Sequence, residues 1–159
     1  MENHAERAAR LFREGCNCAQ SVFVAYCDLT GLDEQTAIKL SASFGGGMGR
    51  LREVCGGVSG ALMALGMLCA PLNPADQELK ARHYARVQEL ANRFKEKNGT
   101  YICREILGEQ AGEGHVPEVR TEEYYKKRPC ERMVYDGAAI LEEMLKELGV
   151  YTPEKGEEA

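Results

Sequence analysis

The sequence has no Cys-x-x-Cys pair and no Cys-x-x-Cys-His, and its one glycine-rich stretch lacks the Lys-Ser or Lys-Thr ending of a phosphate loop. Each absence removes a class. Zinc-finger spacing is missing. Covalent haem is not expected. A phosphate cradle at the glycines is disfavoured, because no strand is evident before them either. The most apolar run, Val58 to Leu72, is short and broken by Gly66 and Pro71, which predicts no membrane insertion. The opening MENHAERAARLFREG is charged and helical in pattern where a secretory leader would be apolar, so a cytoplasmic address is the default expectation. Lys126, Lys127 and Arg128 form the only dense basic group and read as a solvated stretch before Pro129. With a net charge of −5, no nucleic-acid partner is expected. No strand, repeat or low-complexity segment stands out.

What is present is helical. The 159 residues, 44% apolar and 28% charged, suit one domain with a real core. Glu2 to Glu14 reads as a first helix, with Gly15 as its cap. Asn17 caps a second, with Cys18 in its first turn, Cys27 near its far end and Gly31 beyond it. Asp33 caps a third, which runs out at Gly45, Gly46, Gly47 and Gly49. Val58 to Leu68 is the fourth. Asn73 and Pro74 open the longest, reaching about Asn98. Thr100 starts a short one containing Cys103, and Gly108 to Arg120 is read as a connection. Thr121 to Lys127 suggests a helical turn, and Pro129 opens the last helix with Cys130 in its first turn. The expected fold is an all-α single-domain bundle of about six or seven helices over residues 1–149, with a frayed acidic tail over 150–159. Wide apolar faces on such helices leave a homodimer open.

The seven cysteines fall into classes by position. Cys18, Cys55, Cys103 and Cys130 each lie in the opening turn of an expected helix, where free N–H groups and the macrodipole favour a thiolate. Cys27 and Cys69 lie near helix ends and read as packing. Cys16 sits just past the first helix's cap and is undecided between bystander and ligand. Whole helices separate the first four, so any shared site must be assembled by folding. Gly56, Gly57 and Gly60 would let a helix or a bulky cofactor approach closely.

These residues carry a resemblance. Gly15 to Val22, GCNCAQSV, is similar to the first cysteine region of the C-GCAxxG-C-C family of redox-active proteins. Cys55-Gly56-Gly57-Val58-Ser59-Gly60 resembles that family's Cys-Gly-Ala-x-x-Gly motif, with Gly57 in place of the Ala. Cys103 and Cys130 match its third and fourth cysteines, while Cys16, Cys27 and Cys69 have no place in the pattern. The resemblance implies a small redox protein. A related domain in split-Soret cytochromes accompanies the haems with an iron–sulfur centre, which makes a cluster site plausible here.

Four readings follow, the first a metal site of either of two kinds. Cys18, Cys55, Cys103 and Cys130 would ligate a two-iron two-sulfur cluster for electron transfer or sensing, working with a redox partner of unknown identity. The same four would equally hold zinc. Without metal, two of them would cycle between dithiol and disulfide, with Cys55 the expected nucleophile. A Cys–His enzyme would need His83 or His115, neither of which sits in a catalytic motif, and whether the chain is an enzyme is left open. A structural helical adaptor is the bland alternative. Arg50, Arg52 and Glu53 either tune the site from the loop or are solvated. His4 is expected to be terminal and solvated.

Overall fold

Capping side chains set most of the helix starts. Asn3 accepts from the Glu6 amide at 2.8 Å while Glu6 accepts from the Asn3 amide at 3.0 Å, so α1 (His4–Arg13) begins two residues later than the pattern suggests. Asn17 and Gln20 form the same box at the start of α2 (Cys18–Ala25). The chain leaves helical geometry at Tyr26, so Cys27 opens a separate short α3 (Cys27–Thr30) and does not end α2. Asp33 caps α4 (Glu34–Ser41). Cys55 stands at the N-cap of α5 (Gly56–Cys69). Asp76, not Asn73, caps α6 (Gln77–Asn98), and Asn73 instead closes a turn onto the Ala75 amide. Short helices α7 (Cys103–Leu107) and α8 (Glu122–Lys127) precede α9 (Cys130–Glu147). This computed structural model describes residues 1–153, and among them it is all-α with no strand. The break at Tyr26 and the Thr121 cap on α8 account for the helices beyond the expected number.

Helix α9 is the hub. It packs on α1, α5, α2 and α6, while α2 packs on α1 and α5. Phe12, Val22, Phe23, Val58, Leu65, Met133, Leu141 and Leu145 are buried between them, each contributing roughly 1.5–3 kcal/mol through burial. Close helix contact needs missing side chains. A Cβ on Gly60 would stand 2.5 Å from the Ala19 carbonyl oxygen, and one on Gly57 2.7 Å from that of Met133. These contacts bring the N-termini of α2, α5 and α9 to one end of the bundle. No helix among the described residues is long and apolar enough to cross a membrane.

His4 departs from expectation. It is 5% exposed, with Nδ1 2.6 Å from Glu142 and Nε2 2.9 Å from Asp28, and its ring stacks on Tyr26 at 4.3 Å. An N-terminal helix starting at His4 points that ring inward, where two carboxylates offer acceptors. Tyr151, at the start of the expected tail, packs edge-on to the same ring. The remainder of the tail, 154–159, lies outside the described residues.

Candidate functional site

Cys18, Cys103 and Cys130 are the first residues of α2, α7 and α9, and Cys55 caps α5. All four line one cavity of about 290 Å³. Backbone pairing holds two of them in place. The Cys55 amide donates to the Tyr101 carbonyl at 2.8 Å, and the Cys103 amide to that of Glu53 at 2.6 Å. Gly47 makes room at the same spot, since a Cβ there would lie 2.7 Å from that of Cys103. Gly56 lines the cavity against Cys18, whereas Gly57 and Gly60 meet neighbouring helices and take no part in its wall. Cys16, Cys27 and Cys69 lie outside the lining, and the Cys16 carbonyl accepts from Arg120 at 2.9 Å.

The loop between α4 and α5 carries the unusual backbone. Gly46 to Arg50 are five consecutive residues with positive φ, and Arg52 is another at +61°. Met48, Arg50 and Arg52 adopt this conformation at a cost of about 1 kcal/mol or more each. It delivers Arg50 and Arg52 to the cavity. Arg52 is buried, with Nη1 3.8 Å from Cys103 Sγ and Nη2 without a hydrogen-bond partner. Glu53 points outward to Arg104.

The segment between α7 and α8 closes over the other side. Arg50 donates to the Gly114 and Glu113 carbonyls, and Arg52 to that of Gly112. Glu118 receives Arg50 at 2.5 Å and Arg128 at 3.0 Å. Burial pushes its carboxyl up, but the Arg50 hydrogen bond, its own amide and the nearby arginine charges outweigh that and hold it down at about 2. Arg120 donates to the Phe12 and Cys16 carbonyls and stacks on Phe12 at 4.3 Å. The sequence does not announce this side of the wall: Arg128, expected in a solvated stretch, has a side chain only 9% exposed. The one available signal was its place directly before Pro129 and Cys130. His115 also lines the cavity, and His83 does not.

Helix-start placement alone does not make a thiolate. Burial pushes Cys55 up to about 12 against the Gly57 and Val58 amides. Burial also raises Cys103, with Arg52 opposing. Cys130 is lowered, because the Cys18 thiol donates to it and Arg128 and Arg52 lie close, while Cys18 is raised by holding that proton. In this state the most acidic thiol is therefore Cys130 and not Cys55. Among the described residues, no three His, Cys, Asp or Glu side chains stand close enough as placed to share one metal ion.

A family model described as "Putative redox-active protein (C_GCAxxG_C_C)" matches residues 16–144. No curated protein and no solved structure matches the chain.

Proposed function

The chain belongs to the C-GCAxxG-C-C family of redox-active proteins, and from that premise we propose that Cys18, Cys55, Cys103 and Cys130 hold a two-iron two-sulfur cluster. The observation that carries this is charge. Around the four thiols the cavity presents Arg50, Arg52, Arg120 and Arg128 against a single carboxylate, Glu118. Buried guanidinium charge is costly unless something anionic answers it. Four thiolates around such a cluster carry about two negative charges when oxidised and one more when reduced. Arg52, whose Nη1 lies 3.8 Å from Cys103 Sγ, is placed to donate toward that charge. A cluster bridged by inorganic sulfides also spans more than a lone zinc, whose tetrahedron needs sulfurs about 3.8 Å apart, so it suits thiols that line a cavity without closing on one point. When bound, the group would supply a one-electron centre for transfer or sensing. The chain's part is to ligate it, to balance its charge with arginine, and to exclude water with Phe12, Leu107 and Met133. A reducing, cytoplasmic setting would keep the remaining thiols free.

One observation favours a second reading. Cys18 and Cys130 line the same cavity and shift each other's titration in opposite directions, as a thiol and thiolate suited to dithiol–disulfide exchange would.

The deciding experiment is anaerobic purification with an absorption spectrum and iron, zinc and acid-labile sulfide assays on one sample. Iron and sulfide in equal amounts, each lost in the four single Cys→Ser variants and retained in Cys16→Ser, Cys27→Ser and Cys69→Ser, is the expected result. Zinc without sulfide would make the centre a zinc site. No metal after reconstitution, with a Cys18–Cys130 disulfide on oxidation, would leave thiol exchange in its place.

A further inference from the structure

Glu118 sits in a cradle of three guanidiniums. Arg50 Nη1 lies 2.5 Å from one oxygen, and Arg128 Nη2 and Arg52 Nη2 lie 3.0 and 3.6 Å from the other. The arginine side chains are only 9–11% exposed, while the carboxylate is a third exposed. Three buried cations are more than one carboxylate neutralises, and the third, Arg52, still has an Nη2 with no hydrogen bond. Planar guanidinium forks converging from three sides are the arrangement that recognises a carboxylate.

The segment bearing Glu118 is held through arginines and not through apolar packing. Its Val116 and Val119 are 68% and 82% exposed, while Arg50 binds the Glu113 and Gly114 carbonyls, Arg52 that of Gly112, and its own Arg120 those of Phe12 and Cys16. Positive-φ glycines at 108 and 114 lie within and just before it. Beneath it the cavity runs from the cradle to the four cysteines, with Ile106, Leu107 and Met133 among its walls. Arg50 and Arg52 are presented by left-handed backbone, a strain that persists at binding sites more readily than in plain scaffolding.

We infer that the Arg50–Arg52–Arg128 cradle is a binding site for the carboxylate of a small ligand, and that Glu118 is an intramolecular occupant which the ligand displaces. With Glu118 displaced, the cradle opens on walls that include Ile106, Leu107 and Met133, which suits a short ligand with one carboxylate and a small apolar body. That such a ligand would lie against a redox centre rests on the function proposed above; the cradle itself does not.

The test is titration of acetate into the full-length protein and its Glu118→Gln variant by calorimetry, with circular dichroism to verify the fold. Removing the internal carboxylate is expected to tighten acetate binding about ten-fold or more, and adding Arg52→Gln to abolish the gain. Equal affinity in the two proteins, or a gain that survives Arg52→Gln, overturns the proposal. Should Glu118→Gln fail to fold, hydrogen exchange of amides 111–119 in the unmodified protein decides. Acetate should accelerate it and chloride at equal ionic strength should not; no acceleration, or the same with chloride, overturns the proposal. Iron and sulfide assayed on the same samples keep the two claims apart, because loss of the cluster reading leaves the acetate result standing.

Discussion

Gly57 of α5 and Gly137 of α9 meet back to back. A Cβ on Gly137 would overlap the Gly57 carbonyl, and one on Gly57 would lie 2.7 Å from the Met133 carbonyl oxygen. The contacting atoms are backbone on both sides and cannot swing away. This crossing places Cys55 and Cys130 at neighbouring helix starts. Gly137→Ala should therefore cost about 1–3 kcal/mol in urea unfolding and lower the metal content as well. Gly57→Ala should also destabilise. A variant as stable as the parent would mean the helices separate freely.

Thiol reactivity offers a second test. In reduced, metal-free protein near neutral pH, iodoacetamide should label Cys130 first among the four cavity cysteines and well ahead of Cys55, read by peptide mass spectrometry. The order follows from a thiolate stabilised by Cys18 and Arg128 on one hand, and a thiol pushed up to about 12 by burial on the other. Cys18→Ala removes a donor from Cys130 and should slow its labelling several-fold. Arg128→Gln should act in the same direction.

The cysteine quartet was legible because helix starts have local signatures. Asn17 before Cys18 and Pro129 before Cys130 fix first-turn positions with little help from the rest of the chain. The cationic wall was only half legible: Arg50 and Arg52 are open between tuning the site and being solvated, and Arg120 and Arg128 carry no signal of their own. Arg50 and Arg52 reach the cavity only because five successive residues turn left-handed, and three glycines in that run permit the turn without specifying it. Arg120 and Arg128 approach from beyond a loop that reads as a connection. His4 failed for a related reason: its partners, Asp28 and Glu142, are distant in sequence, and nothing near residue 4 announces them.

The His4 contact joins three elements. Its ring bridges Asp28 of α3 and Glu142 of α9 while lying on Tyr26, whose hydroxyl donates to the Ala138 carbonyl at 2.6 Å. His4→Ala would strip the Glu142 carboxylate, 13% exposed, of its shortest hydrogen bond. Lys146 remains at 3.4 Å as partial compensation. A loss of about 2–3 kcal/mol is expected, measured by urea unfolding. A double-mutant cycle with Glu142→Ala should show coupling above about 0.5 kcal/mol. Additive effects would mean the Glu142 contact contributes nothing and the ring acts through Asp28 and Tyr26.

Acid should unlatch the segment over the cavity. The Glu118 carboxyl ordinarily titrates at 4.5 and is held at about 2 in the folded chain. A depressed folded value means the unfolded chain binds the proton first as pH falls. The stabilisation is thus complete above pH 4.5 and is lost between 4.5 and 2. Partial exposure of the side chain screens the effect, so its direction and window are the test. Relative to Glu118→Gln, the parent protein should be more stable by a constant margin from pH 7 down to about 5. Below that the margin should shrink, vanishing near pH 2, when urea midpoints of the two proteins are compared at each pH. Other carboxylates titrate in both proteins and cancel in the difference. A margin that stayed constant through pH 3 would show that the side chain's shape, rather than its charge among the three arginines, holds the segment down.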